Sequence, residues 1–185
     1  MLGFPLGILS AAGAGGVAGG DYELIETFIV SGTSTSAITF SNLGSYSSTY
    51  KHLQIRSTER QSNSVFESTS TITINGSAGS RSHLLFGIGS SLISSDEGTR
   101  LPFYSTGASE VSGNFAGRVT DILDPFSTTK NKTFRCLVGF ASSSYNRIFL
   151  QSGLWANTSS ITSITFTSAA NYVAGSRFSI YGIKG

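Results

Sequence analysis

The sequence predicts an all-β protein, a jelly-roll-like antiparallel β-sandwich of about 8–10 strands behind an extended apolar N-terminal arm. Three observations predict it. Apolar and polar residues alternate with period two in short runs, turn signals divide those runs about every 8–12 residues, and no run has the spacing of an amphipathic helix. Composition agrees, because only 12% of the residues are charged, about half the usual share. Ser, Thr and Gly are abundant, so the body solvates itself with hydroxyls and backbone. At 185 residues the chain suits one domain, residues 21–185, and an arm, residues 1–20.

The elements follow in order. Residues 22–30 form the first strand, and the turn beginning at Gly32 closes it. Residues 37–40 form the second, ended by Asn42-Leu43-Gly44. In residues 50–58, Leu53 and Ile55 point inward and His52, Gln54 and Arg56 outward. Residues 69–74 precede Asn75-Gly76, a hairpin signal. Residues 77–116 are the least regular, and variable loops with one short strand or helical turn are expected there. Asp96-Glu97-Gly98 and Leu101-Pro102 mark turns. Residues 115–123 are a strand broken at Asp124-Pro125, and residues 133–140 alternate most clearly. Residues 145–151, 160–167 and 177–183 complete the set. Residues 36–41 and 163–167 echo one another and read as two edge-type strands with Thr outward and Ile or Phe inward.

Charge and cysteine usage exclude several functions. Net charge is +2, and Arg56, Arg60, Arg100, Arg118, Lys130, Lys132, Arg135 and Arg147 are dispersed, so no nucleic-acid surface is expected. The single Cys136 excludes an internal disulfide and a multi-cysteine metal site. Its alternation with Phe134, Val138 and Phe140 makes it a small buried hydrophobe.

Residues 1–20 contain no Asp, Glu, Lys or Arg. They lack a basic leader region, and Gly3, Pro5 and Gly7 interrupt the apolar stretch, so the arm does not read as a targeting signal. No run approaches the ~18 apolar residues of a membrane span. The chain is expected to be soluble and unprocessed, with no membrane partner. An uncharged apolar arm on a polar body instead suggests a strap, with Leu2, Phe4, Leu6, Ile8 and Leu9 as anchors.

Catalytic chemistry is sparse. His52 and His83 are the histidines, and no nucleophile elbow, phosphate loop or zinc-helix motif occurs. Asp121 and Asp124 would make a glycosidase pair only across a common cleft. Asp124 before Pro125 reads as a turn residue. Asp96 and Glu97 read as a solvated loop tip, with a Ca²⁺ option lacking further oxygens. Asn75, Asn131 and Asn157 match the N-glycosylation pattern, as chance allows in so hydroxyl-rich a chain. No enzyme, cofactor or metal site is expected. Phe103, Tyr104 and Tyr145, with Tyr46 nearby in kind, are candidate glycan contacts as loop aromatics. Trp155 reads as core or strand-end packing.

Several stretches together resemble a group of virion structural proteins of tailed bacteriophages, including phages of cyanobacteria and other aquatic bacteria. They are Tyr22-Glu23-Leu24-Ile25-Glu26, residues 37–41, Tyr50-Lys51-His52-Leu53-Gln54-Ile55-Arg56, Ser152-Gly153-Leu154-Trp155, residues 160–165 and the final run 175–185. Gly3-Phe4-Pro5-Leu6-Gly7 resembles the start of free-standing members. The likeness runs nearly end to end, weakest over 77–116. Such proteins are loosely described as tail-fibre or structural proteins, and the group offers no active-site residues. The resemblance implies an exterior virion component whose partners are other virion subunits. A capsid decoration or cement protein, homo-oligomeric and trimeric, is the expectation. The alternative is a tail-fibre or baseplate module that binds a host-surface glycan.

Overall fold

The structure is a computed structural model that describes residues 20–32, 35–79, 81–88, 90–98, 102–141 and 146–185. The strands are β1 (Tyr22–Ile29), β2 (Thr35–Phe40), β3 (His52–Glu59), β4 (Glu67–Ile74), β5 (Ser77–Ala78), β6 (Arg81–Ile88), β7 (Ser91–Gly98), β8 (Pro102–Thr106), β9 (Ala116–Leu123), β10 (Lys132–Ala141), β11 (Asn146–Trp155), β12 (Ile164–Tyr172) and β13 (Arg177–Ile183). Among the described residues the only helical segment is a 3₁₀ turn, Leu43–Tyr46.

Two antiparallel sheets face each other. The large sheet runs β1-β13-β3-β9-β10-β11-β6-β7, and the small sheet runs β2-β12-β4-β5 with β8 also beside β4. Within this, β1, β13, β3 and β9 oppose β2, β12, β4 and β8. The chain crosses between sheets at almost every step, and β4 and β8 are neighbours in one sheet. That is the strand order of a jelly roll. Two insertions, β5–β7 and β10–β11, extend it. Both reach the same edge of the large sheet, because β11 pairs with β6.

Alternation explains each central strand. In β10, Phe134, Cys136, Val138 and Phe140 are buried, while Thr133, Arg135 and Leu137 face out. Leu53 and Ile55 of β3 lie inward as expected, and both are fully buried. Gln54 faces the other way yet is covered, because it donates to Asp121 and accepts from Arg56. Asn75 (φ 49°) and Gly76 (φ 78°) both take left-handed backbone, the geometry of the predicted hairpin turn. The Asn75 side chain also accepts from Thr162 N and Ser163 N.

The middle of the chain differs from expectation. Residues 77–116 carry β5, β6, β7 and β8 instead of mainly loops. The echoing segments also differ: they pair with each other, Phe166 opposite Ile38, and only β2 is at an edge. β12 is central, between β2 and β4.

The core lies between the sheets and is built on Phe40, Leu53, Ile55, Ile122, Ile164, Phe166, Phe178 and Ile180. An ion pair sits within it: Arg118 Nη2 meets Glu59 Oε1 at 2.7 Å, with neither side chain exposed. The guanidinium carbon lies 4.7 Å from the Phe103 ring centroid and 4.9 Å from that of Phe166. Polar atoms line the inner face toward β8. Gln61 Nε2 donates to Ser70 Oγ (3.1 Å) and Ser105 Oγ (2.9 Å), and Ser70 Oγ meets the Tyr172 hydroxyl at 2.8 Å.

Candidate docking surface

Strand register assembles an uncharged apolar band on the outward face of the large sheet. Val119 of β9 is opposite Leu137 of β10, Leu137 is opposite Leu150 of β11, and Leu150 is opposite Leu85 of β6. The next outward row runs Gly117, Gly139, Ile148, Gly87 and Leu92. The first row is a ridge of branched side chains. The second is a trough at Gly117 and Gly139, closed toward Gly87 by the Ile148 side chain, whose Cγ2 lies 3.0 Å from where a Gly87 Cβ would sit. A shallow depression of about 210 Å³ lies over Gly117, Val119, Leu137, Gly139 and Ile148.

These side chains are open to solvent. Leu137 is 49% exposed, Leu150 48%, Ile148 55% and Leu92 71%, although the neighbours Cys136, Val138 and Phe149 are buried. A β-sandwich ordinarily turns polar residues outward, so such a contiguous band is the candidate docking surface of this chain. The polar row beside it, Asp121, Arg135, Ser152 and His83, bounds the band on one side.

Sequence reasoning missed this surface, although a signal was present. Cys136-Leu137-Val138 is a continuous apolar run inside an otherwise alternating strand, and Ile148-Phe149-Leu150 is another. Each run must turn one apolar side chain outward.

Among the described residues, Phe103 and Tyr104 do not form a platform. Phe103 is a correction: it is 1% exposed, packed edge-on against Phe166 at 5.9 Å, so its ring has no face for a sugar. Tyr104 is half-buried and stacks on Phe149, with centroids 4.1 Å apart and planes 4° from parallel. Tyr145 lies outside the described residues, as do the arm positions Leu2, Phe4, Leu6, Ile8 and Leu9. Tyr46 packs against Tyr50 at 5.9 Å. Trp155 is buried at the end of β11, in keeping with a packing role.

Asp121 and Asp124 each have structural partners. Arg135 Nη2 donates to Asp121 Oδ2 at 2.8 Å, and Lys130 Nζ donates to Asp124 Oδ2 at 2.7 Å. Partial burial pushes the Asp121 carboxyl up, but hydrogen bonds from Gln54 and Arg135 outweigh it and leave it below its ordinary value. The Lys130 hydrogen bond holds Asp124 below its ordinary value too. A glycosidase acid needs the opposite shift. Asp124 takes left-handed backbone (φ 47°), which fits the turn reading. His52 Nδ1 accepts the Asp124 N–H at 3.2 Å. The Asp96 and Glu97 side chains lie outside those described. Among the described residues, no three His, Cys, Asp or Glu side chains gather as a metal site. No helix among them is long and apolar enough to cross a membrane.

Cys136 is shielded, and burial pushes its thiol up to about 11. A thiol reagent at pH 8 is expected to leave the native protein unlabelled and to label it stoichiometrically in denaturant. Rapid labelling of the native protein would show that β10 opens.

Comparison with family models, curated proteins and solved structures finds no match.

Proposed function

We propose that this protein is a non-enzymatic structural component of a tailed-phage virion. In this reading it is an exterior jelly-roll module, a capsid decoration protein, held to neighbouring virion subunits by residues 1–20. The observation that carries the reading is the outward apolar band of the large sheet, where strand register brings Val119, Leu137, Leu150 and Ile148 into one contiguous exposed patch. A free monomer gains nothing from that band, whereas a subunit of an assembly buries it. The arm supplies a second apolar element on the same chain. The resemblance to virion structural proteins supports the same role, and the jelly roll suits it without specifying it.

Charged groups support a structural role as well. Lys132 and Arg60 point their cations at backbone carbonyls, and Arg118 is sealed between the sheets. They brace loops and core and present no reactive constellation. Quantitative mass spectrometry of purified particles, with imaging of the labelled protein on them, tests the placement. Capsid-lattice stoichiometry with label spread over the head is expected. Label confined to the tail, at tail stoichiometry, would move the protein to the receptor-binding role.

A further inference from the structure

We infer that the glycine-floored trough on the large sheet receives the N-terminal arm of a second copy of this protein. The inference rests on the docking role proposed for the arm and names its receptor. Three features of the trough and the arm agree.

The first is charge. The ridge Val119, Leu137, Leu150 and Leu85 and the trough row from Gly117 to Leu92 hold no ionisable side chain. Residues 1–20 hold none either. An uncharged segment entering an uncharged trough leaves no buried ion unpaired.

The second is shape. Leu2, Phe4, Leu6 and Ile8 occupy alternate positions, so an extended arm turns all four to one side. Gly117 and Gly139 open space for such side chains beside the Leu137 ridge, whereas the space over Gly87 is already taken by the Ile148 side chain, whose Cγ2 lies 3.0 Å from where a Cβ would sit. At Gly117 even an added Cβ would meet nothing within 4 Å. Pro5 has no N–H to donate, which favours lying across the face over extending the ladder at the β7 edge. Crossing from β9 to β7 takes four inter-strand steps, about 19 Å, which residues 2–9 span when extended at about 3.3 Å each.

The third is direction, and it favours a second copy over the same chain. The arm joins the sheet at Tyr22, in the row with Ile183, His52 and Leu123 at one end of the strands. The trough lies at the opposite end, in the row of Ile29, Arg177, Thr58 and Gly117. Chain entering β1 arrives from beyond the Tyr22 end, so a straight arm leads off the molecule. Its own trough would require reversal directly before Asp21 and a return along the whole strand.

The test uses the purified full-length chain. Two differently tagged chains are co-produced in a Cys136→Ala background, one with Leu6→Cys and the other with Leu137→Cys, and oxidised. A disulfide joining the two tags is the expected product, resolved on a non-reducing gel and mapped by mass spectrometry. In a chain carrying both substitutions, oxidised at high dilution after assembly, links between chains are expected to predominate. Exclusive links within one chain would assign the trough to its own arm and overturn the inference, and so would the absence of any link. As a second readout, Ile148→Asp with an unchanged circular dichroism spectrum is expected to reduce the oligomer to monomer. An unchanged oligomer would overturn the inference. Because no particle is involved, these outcomes are separate from whether the protein sits on a capsid.

Discussion

Replacing Arg118 by methionine is expected to lower the unfolding free energy by about 3–5 kcal/mol, because the change strands a carboxylate in the core. Arg118 and Glu59 have no exposed side-chain surface, and their contact is 2.7 Å. Arg118 Nε also donates to Ser57 Oγ at 3.1 Å. Glu59 Oε2 and Arg118 Nη1 have no hydrogen-bond partner. The Phe103 and Phe166 rings lie against the guanidinium and exclude water. Removing both charges together, Glu59→Met with Arg118→Met, should recover most of the loss, since each charge then leaves no unpaired partner. Urea unfolding of the single and double variants measures this. Equal losses in single and double variants would mean that packing, not the pair, holds the site.

The same pair sets a pH signature. Burial raises the Glu59 carboxyl above its ordinary value of 4.5, even against the Arg118 charge. Between 4.5 and that raised value the folded state keeps a proton that the unfolded state has released, and above it Glu59 is the carboxylate that Arg118 pairs. This group's favourable contribution is present below 4.5 and is lost as pH rises through the folded-state value. Glu59→Gln should remove that part of the pH slope.

Replacing Lys132 by methionine is expected to cost about 3 kcal/mol, the scale of losing charge-assisted hydrogen bonds and leaving their acceptors unpaired. Lys132 is fully buried at the start of β10. Its ammonium donates to Ser127 O (2.7 Å), Lys130 O (2.8 Å), Thr158 O (3.1 Å) and Asn157 O (3.4 Å). It also lies 6.0 Å from the Trp155 ring centroid. One cation thus ties the loop after β9 to the loop after β11. Arginine should not rescue, because its planar fork is larger than a site shaped around a point charge. Hydrogen exchange should show faster opening of residues 125–131 and 156–160 in the methionine variant. Unchanged exchange there would show that the loops are held by other contacts.

The fold was legible wherever one face of a strand is apolar and the other polar. Residues 133–140 alternate cleanly because Phe134, Cys136, Val138 and Phe140 meet the opposite sheet. The middle was harder for a physical reason. On β4 the inward residues Ser68 and Ser70 are polar, and on β8 so is Ser105; their hydroxyls are satisfied by Gln61 and Tyr172. Hydrophobic periodicity cannot register a core made of paired hydroxyls. β7 is an edge strand whose Leu92 and Ile93 are both exposed, so it shows no alternation either.

The candidate surface was less legible than the fold. Leu85, Val119, Leu137 and Leu150 come from four strands, and only register brings them into one row. Phe103 and Tyr104 were misplaced in the other direction. Phe103 and Tyr104 follow a proline in a segment that reads as a loop, but β8 pairs with β4 and carries both rings against the aromatic interior. Aromatic content alone does not distinguish a sugar platform from a core.

The most direct test of the docking account is incorporation of the full-length protein with Leu2, Phe4 and Leu6 all replaced by serine. Each anchor is worth about 1.5–3 kcal/mol if fully buried, so the triple change should remove nearly all occupancy. Particles assembled with this variant are expected to lack the protein, while the purified variant keeps the wild-type circular dichroism spectrum. Wild-type occupancy on those particles would contradict the account.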